Sequence, residues 1–440
     1  MRDLLTSALF ILSTALAAQG PVSLSLQQAV DMAAEQSYMV QGSKLEAEKS
    51  LAKIREITAI GLPQVSATGS LSNYLQVPTQ VIPNFFGNEP KTLEVQFGIP
   101  WSISGGVQLN QLIFDGSYLI GLKAVRELQN RSVKELEQTR LEARVQAAKA
   151  YLGVLAAEEG ARLLGESLPL VRKSANEAAA MTEQGLMEST DADRLTVQVD
   201  ETENQRRTLL QQAAVARAYL ALVLGLPTGT PIQLTDSLQP LLDVPTDADL
   251  VNRPFDPSQH VDEEVARTYV TMGVLNVRNK KAAYLPQLSG FINYQEQFSS
   301  TEFEPGNGSF WFPASMWGLQ LNVPIFSSGM RKNQVKQASI ALDQAQVQLK
   351  ATEQRLLTDH LSQQAILISA QENYQTGKRS LALSKRIFEQ TSVKFSEGMA
   401  SSFELTQEHG NYLAAQQTYI QRIVDLLKAR VDMHKALDLY

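Results

Sequence analysis

The residues able to do chemistry are sparse in this chain and lie far apart. His260, His360, His409 and His434 show no metal-ligand spacing, and none falls in an H-E-x-x-H pattern. Cys is absent, which excludes disulfides, zinc–thiolate sites, thiol nucleophiles and an acylated lipoprotein cysteine. Gly377-Lys378-Arg379-Ser380 resembles the end of a phosphate loop, but Glu372 stands where the earlier glycine belongs. That run lies mid-helix and reads as a solvated face. Neither G-x-S-x-G nor G-x-G-x-x-G occurs. No catalytic residue, cofactor or metal is therefore expected, and an exported hydrolase is disfavoured. The 39 basic and 46 acidic side chains leave a net charge of −7 with no Lys/Arg-rich run, which argues against nucleic acid as a partner.

The elements themselves carry the information instead. Arg2, the apolar run Leu4 to Leu16 and the small-x-small site Ala15-Leu16-Ala17 read as a signal peptide over residues 1–17. That run is shorter than the ~20 residues a membrane-spanning helix needs, and nothing downstream replaces it.

Beyond residue 17 two textures alternate. Residues 62–76, 95–114, 286–295 and 305–330 carry no charge. In them Val95, Phe97, Ile99, Trp101 and Ile103 alternate with small or polar residues, as do Trp317, Leu319, Leu321, Val323 and Ile325. Period two predicts strands with one apolar and one uncharged polar face. The other segments have apolar residues at three- and four-residue spacing and predict helices over 24–60, 116–183, 189–225, 262–284, 329–396 and 402–438. Ser25 with Gln28 forms a capping box for the first. Two helices of about 68 residues would each run ~100 Å and need a partner along their length.

The chain is internally duplicated. Leu62-Pro63-Gln64 recurs as Leu285-Pro286-Gln287, and Ile113-Phe114-Asp115-Gly116 as Ile325-Phe326-Ser327-Ser328-Gly329. Gly116 with Gly329, Gly185 with Gly398, and Leu224 with Leu437 all share an offset of 213. The reading is a first repeat at 18–225 (helix, two strands, long helical hairpin), a Pro-rich inter-repeat linker or equatorial region at 226–261, and a second repeat at 262–440. The Pro-rich stretch Val77 to Pro90 reads as an exposed loop.

Strands of about ten residues whose polar face holds only Ser, Gln, Asn and Gly, with Trp and Tyr near the ends, carry the membrane-barrel pattern. Four strands cannot close a barrel with an interior, since about eight is the practical minimum. An open edge cannot face lipid, so the chain must oligomerise.

Several motifs together resemble the TolC-like outer-membrane efflux protein family. They are Leu24-Ser25-Leu26-Gln27-Gln28-Ala29-Val30, the two Leu-Pro-Gln junctions, Ile113-Phe114-Asp115-Gly116, Val145 to Glu158 with Ala150-Tyr151-Leu152, and Gln184-Gly185-Leu186. The resemblance runs from about residue 23 to the C-terminus. It implies a mainly α fold with a β-barrel portion: a long α-helical coiled-coil barrel on a homotrimer-shared, 12-stranded transmembrane β-barrel. It also implies the outer membrane of a Gram-negative bacterium with a periplasmic extension. The role would be exit duct of a tripartite efflux pump or type I secretion system, with a periplasmic adaptor protein, an inner-membrane pump and outer-membrane lipid as partners. A periplasmic coiled-coil scaffold or adaptor without a membrane barrel is the alternative, though adaptors usually carry one hairpin between small β domains.

The resemblance places the inner aperture at the hairpin tips. Thr190 and Asp191 match a Thr-Asp pair that latches neighbouring coils in the family. The usual partners of that pair, a Tyr and an Arg, fall on Phe395 and Ala400, so the familiar latch is not expected in its usual form. The acidic ring falls on Gln407, three residues after a matching acid at Glu404. A less acidic aperture, closed by Phe395 or other apolar contacts, is expected. Asp191 and Glu404 also lie in first helical turns, where the dipole favours carboxylates, and Ser401-x-x-Glu404 is a capping box. Gly185 and Gly398 read as left-handed helix caps. Leu186, Met187, Met399 and Ala400, beside those glycines, are the adaptor-contact candidates unless they only pack the turns.

Overall fold

The computed structural model describes residues 22–85, 87, 91–242 and 247–439. The signal-peptide reading lies outside them. In chain order the elements are β1 (Val22–Leu24), α1 (Leu26–Gln36), α2 (Tyr38–Ile60), β2 (Gln64–Asn73), β3 (Thr79–Pro83), β4 (Thr92–Gln96), β5 (Trp101–Phe114), α3 (Gly116–Glu183), α4 (Ser189–Val223) and β6 (Ile232–Leu234). There follow α5 (Leu238–Leu242), α6 (Asp247–Val251), α7 (Val261–Ala282), β7 (Gln287–Ser300), β8 (Trp311–Asn322), α8 (Met330–Ser396) and α9 (Ser402–Ala436). The two long helices are 68 and 67 residues, as their patterning predicts. Among the described residues no helix is long and apolar enough to cross a membrane.

The chain divides into two compact units. One comprises the described residues within Met1–Leu45, Lys134–Glu264 and Ala351–Tyr440. Its core is the Ala- and Leu-rich face of α3, where Ala147, Tyr151, Val154 and Leu155 pack on Leu220 and Ala221 of α4 and on Leu426, Ala429 and Met433 of α9. Small side chains on these faces let the helices approach closely. The predicted helix over 24–60 is two helices here, because Ser37 adopts an extended ψ of 146° and its hydroxyl accepts from Val40 N–H at 3.4 Å. The Ser25–Gln28 capping box forms with both bonds in place.

The segment 226–261 is more than a linker. Its β6 pairs in parallel with β1. The buried Tyr151 hydroxyl donates to the Leu24 carbonyl at 2.9 Å and lies 3.0 Å from the Asp236 carboxylate. Arg430 of α9 grips Asp247 through two bonds of 2.5 and 2.9 Å and donates to the Leu241 and Leu242 carbonyls. Both partners of that ion pair are largely withdrawn from water.

The other unit comprises Glu46–Val133 and Val265–Lys350. It holds one four-stranded antiparallel sheet in the order β2-β5-β7-β8. Two expectations need correction. The stretch Val77 to Pro90 carries β3, which pairs with β4 as a hairpin rather than lying as a loop. The alternating run Val95 to Ile103 is not one strand: β4 ends at Gln96 and β5 begins at Trp101, with Gly98 at φ +146° and Pro100 between them. Pro100 has no N–H to give a ladder, so the alternation there crosses a bend.

Candidate functional site

Cross-strand register sorts the sheet into two faces. Val65 and Leu71 of β2 stand opposite Leu109 and Ile103 of β5; these in turn oppose Ile292 and Phe298 of β7, which oppose Trp317 and Trp311 of β8. That face is apolar yet largely open: Val65, Leu71, Val107, Ile292, Leu319 and Leu321 are exposed, and Trp317 is 76% exposed. On the reverse face Ser66 aligns with Gln108 and Asn293, and Ser72 with Ser102 and Ser299. Ser70 and Ser104 share a hydrogen bond of 2.7 Å across it. The reverse face also carries Leu112, Phe291, Phe312 and Met316, so it is not wholly polar.

The sheet has one charged residue, Glu296, which the charge-free stretches did not cover. It sits on the apolar face opposite Gly105 and Pro313, with the Tyr294 hydroxyl 2.6 Å from its carboxylate. Among the described residues the outer strands β2 and β8 each keep one unpaired edge. An unpaired edge is a template for another chain.

The hairpin tips lie in the first unit. Each long helix ends in a Schellman motif. Gly185 (φ +74°) and Leu186 donate to the Thr182 and Met181 carbonyls at 3.0 and 2.8 Å. Gly398 (φ +73°) and Met399 donate to the Phe395 and Lys394 carbonyls at the same distances. Left-handed φ without a Cβ penalty is what glycine supplies here. Leu186 and Met399 project at 73% and 65% exposure, joined by exposed Phe403, whereas Met187 and Ala400 pack against the apolar cluster below. That cluster unites α3 (Val171, Ala175, Ala178), α4 (Leu195), α8 (Phe388, Phe395) and α9 (Leu405, Tyr412). Phe395, 2% exposed, lies inside it.

Asp191 does find a partner on the second hairpin, and sequence reasoning missed it. The Ser402 hydroxyl donates to the Asp191 carboxylate at 2.5 Å, and Arg194 Nη1 donates to the same oxygen at 3.0 Å and to Ser402 Oγ at 3.3 Å. The Arg194 guanidinium also sits 6.0 Å from the Phe403 ring centre. Thr190 stays outside this triad, its hydroxyl 3.5 Å from Glu188. Of the expected Ser401 capping box the Glu404 N–H to Ser401 hydroxyl bond is present at 3.1 Å. Gln407 is exposed, with its amide 3.4 Å from Asn411. Among the described residues no group of His, Asp or Glu could hold a metal ion.

Comparison with known proteins agrees with this architecture. The profile of the family described as outer membrane efflux protein matches residues 29–226 and 264–438, the two repeats without the segment between them. The outer membrane efflux protein BepC of Brucella suis is 23% identical over 338 residues, covering 74% of this chain and 69% of that protein. A membrane protein of Pseudomonas aeruginosa superposes with a TM-score of 0.72 at 17% identity, over 94% of this chain and 93% of its own. The CmeC outer membrane channel of Campylobacter jejuni gives 0.70 at 16% identity, covering 94% and 85%. VceC of Vibrio cholerae gives 0.69 at 13%, covering 94% and 95%. With the family profile spanning most of its length, the chain belongs to the outer membrane efflux protein family.

Proposed function

We propose that this outer-membrane protein is the passive exit duct of a tripartite efflux pump or type I secretion system. The observation that carries this reading is the four-stranded sheet with an exposed apolar face, a mostly polar reverse and two open edges. In lipid every backbone group must be paired, so such a sheet is stable only when other copies complete a closed barrel. Three copies supply twelve strands, more than the roughly eight whose interior side chains just fill, whereas the four strands of one chain cannot close a barrel. The apolar face meets hydrocarbon, and the Ser-, Gln- and Asn-rich face lines the conduit.

The hairpin tips form the inner mouth in this reading. Asp191, Arg194 and Ser402 hold the two hairpins of one chain together, doing with a Ser and an Arg what Phe395 and Ala400 cannot do. Leu186, Met399 and Phe403 offer the apolar surface on which a periplasmic adaptor docks, with the driving force supplied by an inner-membrane pump. No chemistry on a substrate is assigned to the chain. Purified protein reconstituted in planar bilayers should conduct in discrete steps once the tips are unlatched by Asp191→Ala with Ser402→Ala. A persistent absence of current from that double variant would refute the duct.

A further inference from the structure

The buried seam of α9 is graded in polarity. Positions seven residues apart along this helix read Ser402, His409, Gln416 and Ile423, and all four are buried. Seven-residue spacing is the period at which one helix keeps a single face towards its partners in a coiled coil. In the tip half this row is therefore polar, set beside the buried apolar Leu405, Tyr412 and Ala415, and it turns apolar at Ile423. His409 is 1% exposed and neither ring nitrogen has a hydrogen-bond partner among the described residues. The Thr406 hydroxyl, three residues away, is likewise buried without a partner. The Gln416 amide lies near the Tyr412 hydroxyl, but neither of its atoms makes a well-formed hydrogen bond. Buried polar groups left unbonded favour any state in which water reaches them.

The surroundings of His409 are aromatic and apolar. Its ring lies 4.9 Å from that of Phe388, which stacks in turn on Tyr412 at 5.6 Å. Phe388 and Tyr412 belong to the cluster that joins α3, α4, α8 and α9 beneath the tips. Ion pairs on these helices near this level are Lys173 with Glu177 on α3 at 3.7 Å, Arg172 of α3 with Glu203 of α4 at 2.7 Å, Arg194 with Asp191 on α4 at 3.0 Å, and Lys385 with Glu389 on α8 at 3.9 Å; α4 also carries Asp200 and Glu201. Glu408 precedes the imidazole on α9 itself. None of them moves the His409 pKa; burial alone pushes it down, to about 4.

We propose that the tip half of this seam is built to part, and that His409 makes the parting proton-sensitive. Resting on the duct reading, the inference adds a regulatory input to it. The enclosed cluster holds a neutral imidazole, and separation of the hairpins hydrates the ring and returns it to ordinary basicity. Because the enclosed pKa is the depressed one, the closed tip is fully favoured above pH 6.5 and loses that advantage as pH falls towards 4. A hydrated ring at 6.5 and an enclosed ring at about 4 make full hydration about 30-fold more favourable per chain at pH 5 than at pH 7.5.

The test is single-channel recording of the full-length protein at pH 7.5 and pH 5.0, beside His409→Phe and His409→Gln. The first variant keeps the ring stack and the second keeps a polar seam. Wild-type open probability should rise at pH 5.0, by up to about 30-fold per chain, while both variants stay nearly flat. A wild-type current indifferent to pH overturns the inference and leaves the duct standing. So does a folded variant that keeps the wild-type response. Absence of current from every protein, the unlatched double variant included, overturns the duct and this inference together.

Discussion

The Ser402 hydroxyl donates to the Asp191 carboxylate at 2.5 Å across 211 residues of sequence, tying the start of α9 to the start of α4. Arg194 braces both partners. A hydrogen bond to a charged group is worth about 1.5–3 kcal/mol, and the half-exposed setting of Arg194 and Asp191 puts this one at the lower end. Ser402→Ala should therefore raise the open probability of reconstituted channels roughly tenfold while leaving assembly intact. Gating unchanged from wild type would remove Ser402 from the latch.

The two faces of the sheet should respond oppositely to charge. Ile292→Arg places a cation on the exposed apolar face, and a lipid-facing Arg near the bilayer midplane costs about 2–4 kcal/mol. Asn293→Arg places it on the reverse face, where it meets water. The first should reduce the yield of inserted oligomer, and the second should mainly change ion selectivity, read by reversal potential under a salt gradient. Equal loss of insertion in both would argue against a lipid-facing side.

Leu186 and Met399 are exposed large apolar side chains on the Schellman turns. Leu186→Glu and Met399→Glu should impair adaptor cross-linking and efflux several-fold without altering oligomer yield. Normal pumping by both would move the docking surface elsewhere.

Arg430 is the anchor of the segment between the repeats. Arg430→Ala strands the Asp247 carboxylate, whose side chain is only 8% exposed, and breaking a buried pair on one side costs about 3–5 kcal/mol. Thermal unfolding should show a clear drop in midpoint. Arg430→Ala combined with Asp247→Ala should recover part of it.

Most of the architecture was legible because it is periodic. The long helices α3 and α8 start and stop where Gly116, Gly185, Gly329 and Gly398 predict, and the offset of 213 carries through to the paired Schellman turns. What escaped was non-periodic or long-range. The β3–β4 hairpin hides in a Pro-rich stretch, and the bend at Gly98 and Pro100 keeps an alternation that belongs to no single strand. The pairing of β1 with β6 spans some 200 residues and rests on segments of three residues, too short to announce themselves. Ser402 was invisible as a partner of Asp191 because the helix-capping role of its neighbour Ser401 accounts for the local Ser-Ser sequence. Ser402, His409 and Gln416 are all polar, so nothing in their spacing marks as buried a position that is 3% exposed.

The central claim is that the apolar sheet face meets lipid, and Trp317 reports on it directly. With Trp101→Phe and Trp311→Phe leaving Trp317 as the single tryptophan, its fluorescence should be quenched by phospholipids brominated along their acyl chains and resist aqueous iodide. Quenching by iodide with indifference to the brominated lipid would put that face in water and contradict the account.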